Sequence, residues 1–166
     1  GGSRCHFAVW APRVKRLEVV LLSSPPRVVV MGRRANGYHE AVVDVVELGT
    51  RYLYRLDGQK DLPDPGSRFQ PDGVHGPSQV VDGQFDWEDS KWKGLPLEDY
   101  ILYELHVGTF TPEGTFAGVA RRLGKLKKLG VTAIELMPLA QFPGSRNWGY
   151  DGVYPYAVQN SYGGPE

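Results

Sequence analysis

The second half of the chain carries a strand–helix–strand pattern, and this pattern limits the folds that are open to it. Two short apolar segments, 100–107 and 131–137, flank a stretch with the spacing of an amphipathic helix. The apolar positions of this stretch are Phe116, Val119, Ala120, Leu123 and Leu126. Thr115 can cap the start of the helix, and Gly130 suits the left-handed residue that ends one. Because this is the repeating unit of parallel α/β folds, the two strands are predicted to pair in parallel.

The length of the chain limits how much of such a fold it can hold. A barrel of eight strand–helix units needs about 250 residues, whereas the whole chain has 166. We therefore expect residues 99–166 to form the first βα units of an incomplete (β/α)8 TIM barrel. We expect the chain to be a fragment. The fragment alone is therefore not expected to perform the function that its sequence indicates.

The first part of the chain, to about residue 85, has the pattern of a β-protein. Apolar and other residues alternate over 5–10, and residues 17–22 and 28–31 are short apolar runs. A further strand is predicted over 38–48, directly after the turn signal Asn36-Gly37. In the next predicted strand, Tyr52, Tyr54 and Leu56 lie on the same face. Short strands with frequent turns predict an immunoglobulin-like β-sandwich.

Residues 61–85 interrupt this pattern. They contain four prolines and little periodicity, so we expect an ordered but irregular connector at the end of the β-domain. Five apolar residues are available to dock it: Phe69, Val74, Val80, Val81 and Phe85. The predicted domain plan is thus a β-sandwich with its connector over 1–85, a linker over 86–98 and the barrel segment over 99–166.

Composition excludes several functions. The 19 Lys and Arg residues balance the 19 Asp and Glu residues, so no basic surface for nucleic acid is expected. The apolar runs are too short to cross a bilayer. The single cysteine, Cys5, excludes an internal disulfide and fits a reducing compartment, from which we expect a cytoplasmic location. No metal-ligand cluster, phosphate-binding loop or nucleophile elbow is present in the sequence, and no metal or cofactor is expected.

The loops that follow the two predicted barrel strands are the candidate functional regions. The second loop, 141–156, is the richer one: its aromatic residues are Phe142, Trp148, Tyr150, Tyr154 and Tyr156, and its polar ones include Arg146, Asn147 and Asp151. Aromatic rings suit the C–H face of a pyranose, and polar side chains suit its hydroxyl groups. From composition alone, these rings could equally pack the loop onto the barrel.

The predicted strands carry their own candidates. Glu104 and His106 alternate on the first strand, and Glu135 lies on the second. A buried Glu–His pair could tune a proton donor. A structural hydrogen-bond network is the more common role for such a pair.

Several segments resemble the alpha-amylase superfamily of glycoside hydrolases. Residues 103–110 (YELHVGTF), 130–138 (GVTAIELMP) and 147–154 (NWGYDGVY) resemble its first two barrel strands and the following loop. Residues 7–12 and 49–58 resemble the immunoglobulin-like domain, akin to a glycogen-binding module, of its branching and debranching members. Within the superfamily, residues 63–82 and 140–148 look most like the malto-oligosyltrehalose trehalohydrolase family.

The resemblance implies a retaining hydrolase of trehalose biosynthesis. Such an enzyme cleaves the α-1,4-glucosidic bond next to the trehalose end of maltooligosyl trehalose, an α-glucan oligosaccharide, and releases trehalose. The catalytic carboxylates of the superfamily lie on its fourth, fifth and seventh strands, which are expected beyond Glu166, so no catalytic residue is assigned. By resemblance, Tyr150 stacks on the sugar beside the cleaved bond, with Asp151 close by and Trp148 as a further neighbour.

Two alternatives stay open. The chain could derive from a glycogen branching or isoamylase-type debranching enzyme. It could instead be a non-catalytic glycan-binding module, which would need exposed aromatic residues on the β-domain; the candidates there are Trp10, Tyr38, Tyr52 and Tyr54.

Overall fold

The computed structural model describes residues 4–165 and is rich in β-structure. The strands are β1 (Arg4–Trp10), β2 (Leu17–Leu21), β3 (Arg27–Val30), β4 (Gly32–Arg33), β5 (Tyr38–Asp44), β6 (Arg51–Leu56), β7 (Lys60–Leu62), β8 (Ser78–Gln79), β9 (Leu102–Leu105), β10 (Ala133–Leu136), β11 (Ala140–Gln141) and β12 (Tyr154–Val158). The α-helices are α1 (Val107–Phe110) and α2 (Phe116–Leu129), and single 3-10 turns cover Leu97–Asp99 and Asn160–Tyr162. None of the helices in this described part is long and apolar enough to cross a membrane.

Two antiparallel sheets make up the N-terminal part. One has the strand order β1-β5-β4, and the other has the order β3-β2-β6-β7, with β8 also paired to β6. Buried side chains from both sheets form one hydrophobic cluster, in which Phe7 of β1 meets Tyr52 of β6 ring edge to ring face. The predicted alternation in β1 is confirmed, since Phe7 and Val9 are buried while Ala8 and Trp10 are exposed.

The strand predicted over 38–48 is shorter than expected. It ends at Asp44, because Val45 adopts a positive φ of 55° that an extended strand does not allow. Tyr52 and Tyr54 lie on the same face of β6, as predicted, and both rings are buried. These two tyrosines are therefore wrong as candidates for a surface that binds glycan, whereas Trp10 and Tyr38 remain available.

The connector is irregular and well packed. Its Asp64 is buried and accepts a hydrogen bond from the Tyr52 hydroxyl at 2.8 Å. The Gln70 amide oxygen accepts hydrogen bonds from the hydroxyls of Ser67 and Ser78, at 2.9 and 2.7 Å.

Docking of the connector through its apolar residues is confirmed for two of them and wrong for a third. Val74 is buried against Tyr154, and Val80 packs on the core of the β-domain. Phe85 is exposed: it contacts Trp87 and borders an open hollow beside Leu48 and Tyr156 rather than packing into a core.

The C-terminal part contains the predicted strand–helix–strand unit. β9 and β10 pair in parallel, with Leu102 opposite Ala133 and Leu105 opposite Leu136, as predicted. The predicted caps of α2 are confirmed: the Thr115 side chain accepts a hydrogen bond from the Gly118 N–H, and Gly130 is left-handed.

The predicted boundaries and the buried stripe of this unit need correction. The first strand ends at Leu105, and residues 107–110, expected to finish it and begin the first loop, form α1. Within the stripe of α2, Val119 and Leu126 are buried, whereas Ala120 and Leu123 are exposed. The physical reason is that Leu123 belongs to an apolar hollow of about 740 Å³, shared with Leu95 and Ile134, that remains open to solvent.

Candidate functional site

A cavity of about 660 Å³ opens between the end of β9 and the loop that joins β11 to β12. Its lining residues are His106, Gly108, Thr109, Ser145, Arg146, Asn147, Trp148, Tyr150 and Asp151. The volume is in the range of ligand sites in proteins. The three residues predicted to bind sugar, Trp148, Tyr150 and Asp151, all line this cavity.

A tight turn over residues 147–151 sets the shape of this lining. The Asn147 side chain accepts a hydrogen bond from the Gly149 N–H and donates one to the Asp151 carboxylate, both at 2.7 Å. Gly149 has a φ of 99° and lies so close to the Pro138 carbonyl that a Cβ would not fit. The turn therefore requires asparagine for its bonding and glycine for its conformation.

The turn holds two aromatic rings out of the core. Trp148 is 64% exposed and Tyr150 is 72% exposed, although the hydrophobic effect favours burial of such rings. Asp151 lies beside them, with its carboxylate fixed by Asn147. Two presented rings and an oriented carboxylate can bind both the apolar face and the hydroxyl groups of a pyranose.

His106 contacts the turn and helps to hold it in place. Its Nε2 atom lies 2.8 Å from the Asn147 carbonyl oxygen and 3.0 Å from the Tyr162 hydroxyl. Because a carbonyl oxygen can only accept, the contact with Asn147 places a hydrogen on Nε2. The imidazole also packs edge to face against Trp148, with ring centroids 5.4 Å apart.

His106 therefore belongs to a structural hydrogen-bond network, which is one of the two roles that the sequence leaves open for it. The other alternative, a buried Glu–His pair, is wrong, because Glu104 is exposed. Glu135, which lies opposite Glu104 in the parallel register, is exposed as well, and neither carboxylate lines the cavity.

Sequence reasoning missed the buried groups that hold the ends of this loop. The Gln159 side chain accepts from the Gln141 amide at 2.8 Å and from the Phe142 N–H at 3.0 Å, and it donates to the Gly144 carbonyl at 2.9 Å. Tyr162 packs its ring against Phe142, and burial raises the pKa of its hydroxyl. No spacing signal marks glutamine as a core residue, since glutamine is usually exposed.

The aromatic residues of the loop divide into two groups. Phe142 and Tyr154 are buried, and the Tyr154 hydroxyl donates to the Val74 carbonyl at 2.9 Å, so packing is the correct interpretation for these two. Tyr156 is exposed but does not line the cavity. Only Trp148 and Tyr150 are presented to a ligand there.

The cavity has the groups for binding but not for the complete reaction. A retaining glycosidase needs two carboxyl groups about 5 Å apart, and among the described residues that line this cavity only Asp151 has one. Within residues 4–165, no group of three or more His, Cys, Asp or Glu side chains is arranged to hold a metal ion.

Individual known proteins match nearly the whole chain, although no protein-family model matches it. A malto-oligosyltrehalose trehalohydrolase of Saccharolobus solfataricus is 52% identical over 159 residues, covering 96% of this chain and 28% of that protein. The corresponding enzyme of Deinococcus radiodurans is 48% identical and covers 100% of this chain and 27% of its own length. A glycogen debranching enzyme of Dickeya chrysanthemi is 31% identical.

Solved structures agree with these sequence matches. A crystal structure from Salmonella typhimurium, described as an alpha amylase, superposes with a TM-score of 0.89 at 41% identity over 98% of this chain and 28% of that one. A pullulanase of Anoxybacillus sp. LM18-11 in complex with maltotetraose gives a TM-score of 0.77 at 26% identity, over 98% of this chain and 29% of that one.

The fold and these matches indicate the class: the chain is similar to glycoside hydrolases of the alpha-amylase type. Within this class, the curated malto-oligosyltrehalose trehalohydrolases are 39% to 52% identical to it. The predicted resemblance to this family is thus confirmed. The chain spans about 28% of the length of these relatives.

Proposed function

We propose that this chain supplies a sugar-binding loop to a glycoside hydrolase that cleaves the α-1,4-glucosidic bond next to the trehalose end of maltooligosyl trehalose and releases trehalose. The observation that carries the proposal is the turn at 147–151, which presents Trp148 and Tyr150 to a cavity of about 660 Å³. The identity to trehalohydrolases over nearly the whole chain supports the choice of substrate.

In this proposal the two parts of the chain have different roles. Residues 1–85 form an immunoglobulin-like β-sandwich with its connector, and residues 86–98 are a linker. Residues 99–166 form the first βα units of a (β/α)8 barrel, in which β9 and β10 are the first two strands. The nucleophile and the proton donor come from later strands of that barrel, and the enzyme acts in the cytoplasm.

Tyr150 is proposed to stack on the glucose unit beside the cleaved bond. Asp151 hydrogen-bonds sugar hydroxyl groups, with the orientation that Asn147 gives it. Trp148 extends the aromatic surface and is itself supported by His106.

Binding is testable on the chain as it stands. The indole N–H signals of the four tryptophans can be observed by ¹⁵N NMR during a titration with maltoheptaose. We expect the Trp148 signal to shift in a saturable way, and Tyr150→Ala to weaken that response while Tyr150→Phe retains it. Tyr156→Ala is a matched control, since Tyr156 is 71% exposed but lies outside the cavity. A Trp148 signal that does not respond, or a loss of response as large in Tyr156→Ala as in Tyr150→Ala, contradicts the proposal.

Catalysis needs a second assay. The chain alone is expected to release no trehalose from maltotriosyl trehalose. In a full-length trehalohydrolase into which this segment is exchanged, Tyr150→Ala should lower kcat/KM about 100-fold, because small misplacement of a reacting group is that costly. Tyr150→Phe keeps the ring and should remain near the parent activity. A normally folded Tyr150→Ala enzyme with full kcat/KM would show that the ring only packs the loop.

A debranching activity is the second candidate, supported by the 31% identical relative from Dickeya chrysanthemi. The same exchanged enzyme can be given an α-1,6-branched glucan. Release of linear maltooligosaccharides from this glucan, at a rate above that of trehalose release from maltotriosyl trehalose in a parallel assay, would favour this second candidate.

A further inference from the structure

The cavity at Tyr150 contains a hydroxyl group that has no role in the proposed function so far. Thr109 lies on α1, shortly after the end of β9; its side chain is exposed and lines the cavity. Its neighbour Gly108 lines the cavity as well. A Cβ at position 108 would come within 3.0 Å of His106 Cε1, so the glycine leaves room for the His106 ring beside Thr109.

The Thr109 hydroxyl has two neighbouring hydrogen-bond acceptors, and both belong to His106. Its Oγ1 atom lies 3.3 Å from the ring Nδ1 atom and 3.5 Å from the backbone carbonyl oxygen of the same residue. That carbonyl already accepts the N–H groups of Thr109 and Phe110, at 3.1 and 3.0 Å, and a carbonyl oxygen has two lone pairs. The ring nitrogen is therefore the better acceptor for the hydroxyl hydrogen.

The tautomer of the His106 ring decides whether Nδ1 can accept. The Nε2 atom carries a hydrogen, because it lies 2.8 Å from the Asn147 carbonyl oxygen, which can only accept. In a neutral imidazole the other nitrogen then has a free lone pair. Nδ1 accordingly accepts from Thr109, and this bond directs the hydroxyl hydrogen toward the ring.

We propose that Thr109 is a further sugar-binding residue, which accepts a hydrogen bond from one hydroxyl group of the substrate, and that His106 is the positioning residue that fixes this polarity. This role rests on the proposed function, because it concerns the same cavity. With its hydrogen held by Nδ1, the Thr109 oxygen presents lone pairs to a ligand. The Asp151 carboxylate, which lines the same cavity, is an acceptor as well. At both positions the cavity selects a ligand group that donates a hydrogen bond.

The titration with maltoheptaose, followed by the Trp148 indole signal, measures the contribution of the hydroxyl. Thr109→Val keeps the shape of the side chain and removes the oxygen. It should raise Kd about fivefold, which corresponds to about 1 kcal/mol for a neutral hydrogen bond. Thr109→Ser retains the hydroxyl and should stay within about twofold of the parent. Thr111→Val is the matched control, because Thr111 is buried outside the cavity in the same segment; it should leave Kd unchanged. A Thr109→Val chain that binds as tightly as the parent overturns the proposal.

Substrate analogues identify the bond itself. A methyl α-maltoside in which one hydroxyl is replaced by fluorine cannot donate at that position. One member of such a series should bind the parent chain about fivefold more weakly. The same replacement should have no further effect in Thr109→Val, because the acceptor is already gone. A series in which no position shows this coupling also overturns the proposal.

The His106 ring gives a test of the positioning role that does not depend on binding. Long-range ¹H–¹⁵N correlation spectra distinguish the two ring nitrogens, and His106→Gln assigns the signal among the four histidines. We expect the hydrogen on Nε2, and a hydrogen on Nδ1 alone would overturn the role of His106. Since glutamine removes the ring acceptor, Thr109→Val should cost less than about twofold in Kd in the His106→Gln background.

Failure of this inference can be told apart from failure of the proposed function. If Tyr150→Ala weakens the Trp148 response and Thr109→Val does not, the proposed function stands and the role of Thr109 is refuted. A Trp148 signal that does not respond to maltoheptaose in the parent chain contradicts both.

Discussion

The buried carboxylate of Asp64 gives the most direct test of how the connector is held. It accepts hydrogen bonds from the Tyr52 hydroxyl and from the Gly66 N–H, each at 2.8 Å, and a longer one from Tyr54 at 3.4 Å. Asp64→Ala removes all three and leaves the buried Tyr52 hydroxyl without its acceptor. A lost hydrogen bond costs about 1 kcal/mol and an unsatisfied buried group about 1–3 kcal/mol. We therefore expect the free energy of unfolding to fall by about 2–4 kcal/mol.

Thermal unfolding followed by circular dichroism measures this effect. For a chain of this size, each kcal/mol shifts the Tm by about 2–4 °C, so the Tm should fall by roughly 5–15 °C. Asp61→Ala is the matched control in the same connector: its carboxylate pairs with Arg55 at 2.7 Å on the surface, where an ion pair contributes about 0–1 kcal/mol. In a Tyr52→Phe background, Asp64→Ala should cost less, because the hydroxyl that it strands is already gone. Equal losses for Asp64→Ala and Asp61→Ala would refute the reasoning.

Two further predictions concern alkaline stability and the turn of the cavity. Burial, reinforced by the nearby Asp64 carboxylate, raises the pKa values of Tyr52 and Tyr54 far above the ordinary value. The folded state thus keeps protons that the unfolded state loses above pH 10. The stabilisation is complete below pH 10 and should fall by about 1 kcal/mol per tyrosine between pH 10 and 11, as measured by denaturant titration; an unchanged slope in Tyr52→Phe would contradict this. Gly149→Ala should abolish the Trp148 response to maltoheptaose because of the clash with Pro138, whereas Gly144→Ala has free space around its Cβ and should cost only about 1–2 kcal/mol of backbone strain. Equal binding by both variants would show that the turn tolerates a side chain.

Local signals were sufficient to predict the β-rich first part, the parallel strand pair β9 and β10, and the helix α2 with its caps. The helix caps at Thr115 and Gly130 follow from backbone chemistry within one turn, and the alternation around Phe7 follows from the pleat of a strand. The resemblance singles out Trp148 and Tyr150, whereas composition marks the whole loop, including Phe142 and Tyr154, which are buried.

Contacts between residues far apart in the chain could not be predicted in this way. α1 begins directly after His106, and a Cβ at Gly108 would come within 2.9 Å of Tyr162 Cε1. Local apolar residues predict a strand through Val107, whereas the course of the chain here also involves a ring near its other end. The exposure of Leu123 is of the same kind, since helical spacing shows which residues share a face but not whether another element covers it.

Contacts between distant residues also join the connector to the loop that lines the cavity. The Asn160 side chain donates to the Pro71 carbonyl at 2.9 Å, and the Asn160 N–H donates to Gln141 at 2.9 Å. Its neighbour Gln159 donates to Gly144, within the loop that carries Trp148. If the connector were removed, the Asn160 side chain would lose this acceptor and Tyr154 would lose Val74 as both hydrogen-bond and packing partner. Because both losses fall on the strand and turn that anchor this loop, the structural unit that supports the cavity is the connector together with the C-terminal part, rather than residues 99–166 alone.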